Sequence, residues 1–402
     1  MEHYRRDFPV LGCQVHNKPL IYFDSAATAQ KPQAVIDCMT EFYQKRYGTV
    51  HRAVYYLASV ATEEHNRVRE KVAAFLGAKS SEEIIFTRGS TESINLVASS
   101  FSKQFLYPGD EILISEIEHH ANIVPWQMAC KERQAHLKAI PVDDRGCLDL
   151  AALQNLLTNK TKLVAISHIS NALGTIHPIR EIVALAHAKG AKVLIDGAQA
   201  VPHLEVNVQE LDVDFYLFSG HKIYGPTGIG ILYGKKELLD AMPPYQGGGD
   251  MIDTVTLENT TYNDLPLKFE AGTPSIAEAI GLGAAIDYIQ AIGLDKIRTW
   301  EEKLLAYATD KLQQIKGLRI IGTAPQKGAL ISFVIEGIHH LDLGTCLDLE
   351  GIAIRTGHHC AQTAMHRFGV TGTSRISFGL YNTCDEIDKF IISLQNIIKT
   401  LQ

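Results

Sequence analysis

Lys222 is the amine in this sequence best placed for covalent chemistry. It ends Ser219-Gly220-His221-Lys222, just after the β-rich run Phe215–Phe218 and before the glycine-punctuated turn Gly225-Pro226-Thr227-Gly228. A lysine on a tight turn at the end of a sheet strand can be desolvated, which lowers its pKa and frees the amine for Schiff-base formation. Taken alone, the same pattern also describes a surface lysine on a hairpin. Asp196 closes the apolar run Lys192–Ile195. A carboxylate there could cap a helix. It could equally pair with a protonated pyridine nitrogen, which keeps pyridoxal phosphate (PLP) acting as an electron sink. Gly89-Ser90-Thr91-Glu92 opens a helix, where free N–H groups and the Thr91 hydroxyl suit either an ordinary cap or a phosphate. His119 follows a strand end, as a structural histidine or as one that stacks on a ring and moves protons.

Cys360 brings a different chemistry. A thiolate nucleophile needs partial exposure and nearby positive charge, and Arg355, His358 and His359 are close in sequence. The default for a cysteine is burial and inertness. No metal site is expected: His358-His359-Cys360 are adjacent, and adjacent side chains rarely converge on one tetrahedral ion.

These residues need a frame, and the chain supplies alternating strands and helices. Strands are expected at 83–87, 111–114, 162–167, 192–196, 215–218 and 229–233. Helices are expected from near Pro32, over a long stretch ending at Gly77, over 93–101 and over Pro178–Lys189. Continuous apolar runs such as Lys192–Asp196 suit strands buried on both faces. The alternation predicts an α/β fold with a mostly parallel central sheet, whose ligands bind beyond the C-terminal strand ends. The residues named above sit at those ends. Residues 235–275 read as irregular, and a helical stretch over 275–315 leads to a smaller α+β unit. That unit is expected to hold strands 318–322, 329–335, 352–355 and 373–380 and helices 340–349 and 385–400. The division is an arm over 1–20, a large unit over 21–285 and a small one over 286–402 that carries the Cys360 loop.

Bulk properties narrow the class. With 402 residues and a net charge of −7, the chain offers no basic face for nucleic acid. Its longest apolar stretches are too short to span a bilayer. The N-terminus has no apolar core after its charges, so no signal peptide is expected. The seven scattered cysteines suggest reduced thiols and a cytoplasmic enzyme.

The ordered set Tyr22–Thr28, Glu118-His119-His120-Ala121-Asn122, Asp196-Gly197-Ala198-Gln199, Ser219-Gly220-His221-Lys222, Arg355–Ala361 and Arg375-Ile376-Ser377 resembles the cysteine desulfurases. These belong to the class V aminotransferase group of fold type I PLP enzymes. The short run before Cys360 is similar to group II, the SUF-system desulfurases and selenocysteine lyases. The resemblance implies that Lys222 holds PLP, that Asp196 pairs with its ring nitrogen, that Gln199 bonds the phenolic oxygen and that His119 stacks on the ring. It implies that Thr91, Ser219 and His221 hold the phosphate, with Thr273 reaching in from the second subunit of a homodimer. Asn171 and Arg375 would hold the substrate carboxylate, and Arg355 would stand near the nucleophile. L-cysteine would become L-alanine, and Cys360 would carry a persulfide to an acceptor protein for iron–sulfur cluster assembly. Two departures stand out: Thr363 replaces a common proline, and Ser374–Gly379 differs from the usual run. Selenocysteine lysis or cysteine sulfinate desulfination on the same fold are alternatives. A non-catalytic scaffold would have no need of Lys222, Asp196, His119, Arg375 and Cys360 together. A nucleotide-binding Rossmann enzyme lacks its glycine fingerprint here.

Overall fold

A computed structural model describes residues 1–401. Its central sheet runs, in spatial order, Ile84–Thr87, Gly230–Gly234, Phe215–Ser219, Lys192–Asp196, Thr161–Ser167, Glu111–Ser115 and His136–Ile140. From Phe215–Ser219 to His136–Ile140 every neighbouring pair is parallel. Gly230–Gly234 is antiparallel to both its neighbours.

Side chains alternate between two buried layers. Leu113, Val164, Ile166, Val193 and Ile195 join one apolar cluster. Ile112, Ile114, Leu163, Ala165 and Leu194 join the other. Both faces are therefore covered, which is why these strands read as unbroken apolar runs. The parallel strands end together at Ser115, Ser167, Asp196 and Ser219. The chain leaving each of them lies along one edge of the sheet.

A second, antiparallel sheet has the order Leu318–Ile321, Leu330–Ile335, Thr373–Ser377, Arg355–Gly357. Helices Leu294–Gln313, His340–Leu349 and Cys384–Leu401 close its core around Ile331, Phe333, Ile376 and Phe390.

Three features differ from the expectation. Ile21–Tyr22 pairs in parallel with Ile352–Ala353, and Ile21 and Phe23 pack in the second sheet's cluster, away from the central sheet. Two residues of strand carry no signal of which sheet they join. The helical stretch over 275–315 is two helices, Ile276–Ile292 and Leu294–Gln313, bent by 76°. The break falls at Gly293, whose φ of 95° suits only glycine. Within 235–275, Lys236–Ala241 is helical, and Ile252–Val255 pairs with Thr260–Tyr262 as a hairpin. The arm touches both units. Arg5 pairs with Glu386 at 2.6 Å, and the Phe8 ring packs against Tyr224 and Tyr381.

Arg69 and Glu270 tie the helix Tyr56–Leu76 to the segment beyond Phe269. Both are buried, and two parallel bonds of 2.6 and 2.9 Å join them. Glu270 also accepts from the Phe86 amide at 2.7 Å. Removing one partner of a buried pair leaves an uncompensated charge. Glu270→Ala is therefore expected to lower stability by about 3–5 kcal/mol, read from the urea midpoint.

Candidate active site

The strand ends and the second sheet enclose a cavity of about 200 Å3. Lys222 lines it from the short turn after Phe215–Ser219. Three donors fix that turn by bonding the His221 carbonyl: the Ala29 amide at 3.0 Å, Thr28 Oγ1 at 3.2 Å and Lys31 Nζ at 2.9 Å. Burial lowers the Lys222 pKa, Asp196 works against that shift, and Arg375 and Arg355 add to it. Asp196 is buried, and its Oδ1 accepts from the Ala198 amide at 2.9 Å. Burial raises its pKa, and Lys222 opposes this.

His119 lines the same cavity. Its Nδ1 accepts from the Ala121 amide at 3.0 Å, which leaves the proton on Nε2. Burial, Lys222 and neighbouring cations push its pKa down to about 4, so the ring is neutral. Gln199 Nε2 donates to the Ala26 carbonyl at 2.6 Å.

At the opposite end the helix Ser90–Phe105 starts beside Ser219. Ser219 Oγ accepts from the Ser90 amide and meets Ser90 Oγ, both at 2.8 Å. Thr91 and His221 line the cavity there. His221 is held neutral, at about 4, by burial and by Lys222 and Lys31. A helix start with unpaired amides and surrounding hydroxyls is a ready anion site. Its close packing depends on Gly230, where a Cβ would lie 2.4 Å from Gly89 Cα.

Cys360 reaches the cavity on a tight turn between the strand Arg355–Gly357 and the helix Gln362–Arg367. His359 and Cys360 both take left-handed backbone, with φ of 53° and 55°. Such residues persist only where the surroundings hold them. Here Asn171 Nδ2 donates to the His359 carbonyl at 2.6 Å, and the His120 amide donates to the Cys360 carbonyl at 2.7 Å. His358 Nδ1 accepts from the Cys360 amide at 3.2 Å, and His359 Nε2 meets Thr373 Oγ1 at 2.8 Å. Cys360 is half-buried, while Cys130 is buried. Thr363 falls in the first turn of the following helix, a position that accepts proline or threonine alike.

Arg375 is 2% exposed and lines the cavity with Asn171 and the more exposed Arg355. Its Nη1 donates to the Asn171 carbonyl at 2.7 Å, and its Nε is buried with no partner. Thr273 is the one expected residue outside this cavity. It lines a separate pocket with Arg88, Glu92 and Gln246.

Two carboxylates went unread in the sequence. Glu118 lies beneath His119 and accepts from Ser115 Oγ at 2.6 Å, Asn122 Nδ2 at 2.9 Å and the Ser167 amide at 3.0 Å. Its burial raises its pKa to about 7. Asp24 pairs with Arg375. The adjoining Glu118-His119 pair was the signal for the first. The second lies in the quoted stretch Tyr22–Thr28, where it was given no role.

The Aminotransferase class-V family profile matches residues 21–390. The cysteine desulfurase of Serratia proteamaculans (strain 568) is 54% identical over 402 residues, spanning 100% of this chain and 99% of that one.

The chain belongs to the cysteine desulfurases of the class-V aminotransferase family.

A cysteine desulfurase of Synechococcus elongatus is 53% identical over 98% of this chain, which spans only 63% of that longer protein. Among solved structures, the cysteine desulfurase CsdA (S-sulfonic acid) of Escherichia coli has a TM-score of 0.92 at 40% identity, covering 100% of this chain and 98% of that one. The apo cysteine desulfurase of Thermococcus onnurineus NA1 has a TM-score of 0.94 at 39% identity, covering 99% and 98%. Membership of this family implies PLP. The cavity fits such a group at both ends: a buried carboxylate whose Oδ2 has no hydrogen-bond partner among the described residues, and a helix start whose Thr91 and Glu92 amides have none either.

Proposed function

We propose that the protein is a PLP-dependent cysteine desulfurase, converting L-cysteine to L-alanine and keeping the sulfur on Cys360. One observation carries the reading: a desolvated lysine and a half-exposed cysteine on a pinned turn line the same cavity. Lys222 would hold the cofactor, Asp196 its ring nitrogen, Gln199 its phenolic oxygen, and Thr91, Ser219 and His221 its phosphate. Bound there, PLP would draw electrons from the amino acid's α-carbon and make the Cβ–S bond breakable. The Arg375 guanidinium orients the substrate carboxylate, with Asn171 fixing that guanidinium through its carbonyl. The Lys222 amine, whose charged form burial disfavours, would take the α-proton. The Cys360 thiolate attacks the substrate sulfur. An S–S bond forms, the C–S bond breaks, and the products are alanine and a persulfide with no external oxidant or reductant. The neutral His119 ring would help hold the cofactor, and its Nε2 proton is available for transfer to the departing fragment.

The short turn His358–Ala361 supports a group II reading, in which a rigid loop presents the persulfide to an acceptor protein rather than carrying it outward. Iron–sulfur cluster assembly is the use we assign to that sulfur. The placement of Thr273 away from its own chain's cavity agrees with a homodimer in which a second copy completes the phosphate site. The test is mass spectrometry after incubation with L-cysteine. One added sulfur on the Cys360 peptide and a matching yield of alanine are expected. Alanine without added sulfur would overturn the nucleophile, and neither product would overturn the activity. Selenocysteine and cysteine sulfinate, run beside cysteine, distinguish the alternatives on this fold.

A further inference from the structure

Two imidazoles pin the turn that carries Cys360. His358 Nδ1 accepts from the Cys360 amide at 3.2 Å, and His120 Nε2 accepts from the Gln362 amide at 3.1 Å. The His120 amide also donates to the Cys360 carbonyl at 2.7 Å, so ring and backbone of one residue grip the same turn. The grip matters because His359 and Cys360 are both left-handed, a conformation that costs a non-glycine residue energy and lasts only while its bonds hold. The His120 and His358 rings lie with their centroids 5.5 Å apart.

An imidazole accepts only through a nitrogen that carries no proton. Accepting at Nδ1 leaves the His358 proton on Nε2, and accepting at Nε2 leaves the His120 proton on Nδ1. A second proton turns either acceptor into a donor that faces another donor, and two cations this close repel. We propose that His120 and His358 are positioning residues for the nucleophile: neutral, they hold the Cys360 turn in its reactive shape, and protonated, they release it. The inference rests on the desulfurase reading for the reaction but not for the behaviour of the turn. The surroundings favour the neutral state. Burial and His358 lower the His120 pKa, and among the described residues no carboxylate acts on it. His119 beside it is neutral, and burial, Arg375, Arg355 and other histidines hold His359 neutral at about 2. Arg355 faces Asp24, and Arg367 on the helix after the turn pairs with Glu116 and Asp144. Because pinning lowers the pKa of the group that pins, it is complete above the ordinary histidine value of about 6.5 and is lost as pH falls below it.

Two double variants separate pinning from titration. His358→Asn offers the Cys360 amide an acceptor as an Asx turn, and His120→Gln places an amide oxygen where Nε2 stood, so together they keep the acceptors without the protons. His120→Ala with His358→Ala removes the acceptors. On the holoenzyme, hydrogen exchange of the peptide over 355–364, corrected for its intrinsic rate, is read beside single-turnover alanine formation from cysteine. Protection in the parent is expected to fall about tenfold between about pH 7.5 and about pH 5.5, where an ordinary histidine is roughly nine-tenths protonated, and alanine formation is expected to fall with it. The Gln/Asn variant is expected to stay within about twofold of its neutral protection across that range, and the alanine-substituted one to be unprotected throughout. Flat protection in the parent, a fall in the Gln/Asn variant equal to the parent's, parental protection without the two rings, or a loosened turn that leaves alanine formation unchanged each overturns the proposal. The parent's profile alone decides the matter should the variants not fold. A parent whose turn loosens as expected but which makes no alanine at either pH would sink the desulfurase reading and leave the pinning argument standing.

Discussion

Cys360→Ser is expected to cut alanine release from cysteine by about 10³-fold or more, because a serine hydroxyl is far less ionised than a thiol at neutral pH. That loss corresponds to about 4 kcal/mol of barrier. The substitution replaces sulfur by oxygen and leaves the backbone untouched, so the turn should survive. Its bonds run through the Cys360 carbonyl and amide and through His359, not through the thiol. Stability and the absorbance of bound cofactor should stay at parental values. The measurement is single-turnover alanine yield beside the visible spectrum. A variant that still made alanine at the parental rate would remove Cys360 from the reaction, whatever the spectrum showed. A variant that lost its cofactor absorbance would point to a disturbed site instead.

The sequence made the site legible where chemistry and strand ends coincide. Asp196 and Lys222 each close or follow an apolar run, and in a parallel sheet those runs end on one edge. Long-range pairings were invisible. Arg69 meets Glu270 across 201 residues, and Asp24 meets Arg375 across 351. Neither spacing leaves a periodic trace. The strand His136–Ile140 was missed because it is an edge strand with an exposed side, so its apolar signal is diluted. The hairpin Ile252–Val255/Thr260–Tyr262 was missed for the same reason, since its residues are mostly exposed. The bend at Gly293 was hidden because a single glycine separates Ile276–Ile292, apolar on nearly all sides, from the amphipathic Leu294–Gln313, and one glycine leaves no other mark.

Lys222→Ala is expected to reduce turnover by about 10⁴-fold or more, the upper range for removing a positioned base, with covalent attachment of the cofactor lost as well. The environment of the amine explains the size of the effect. Burial disfavours the ammonium form, and Arg375 and Arg355 push the same way. A base with a lowered pKa is neutral over more of the physiological range, so activity that depends on it should persist to lower pH than for an ordinary lysine. Alanine at 222 leaves Asp196, His119 and the helix start in place, so PLP should still bind, held without a covalent bond. Borohydride treatment followed by peptide mass separates the roles. In the parent it should fix the cofactor to the Lys222 peptide, and in the variant to no peptide. Fixation at another lysine would show that Lys222 is not the anchoring amine. Lys31, half-buried and with its pKa lowered by desolvation to about 8, is the competitor nearest the turn. Its bonds to the Ala29 and His221 carbonyls occupy it, so it holds the turn rather than the cofactor.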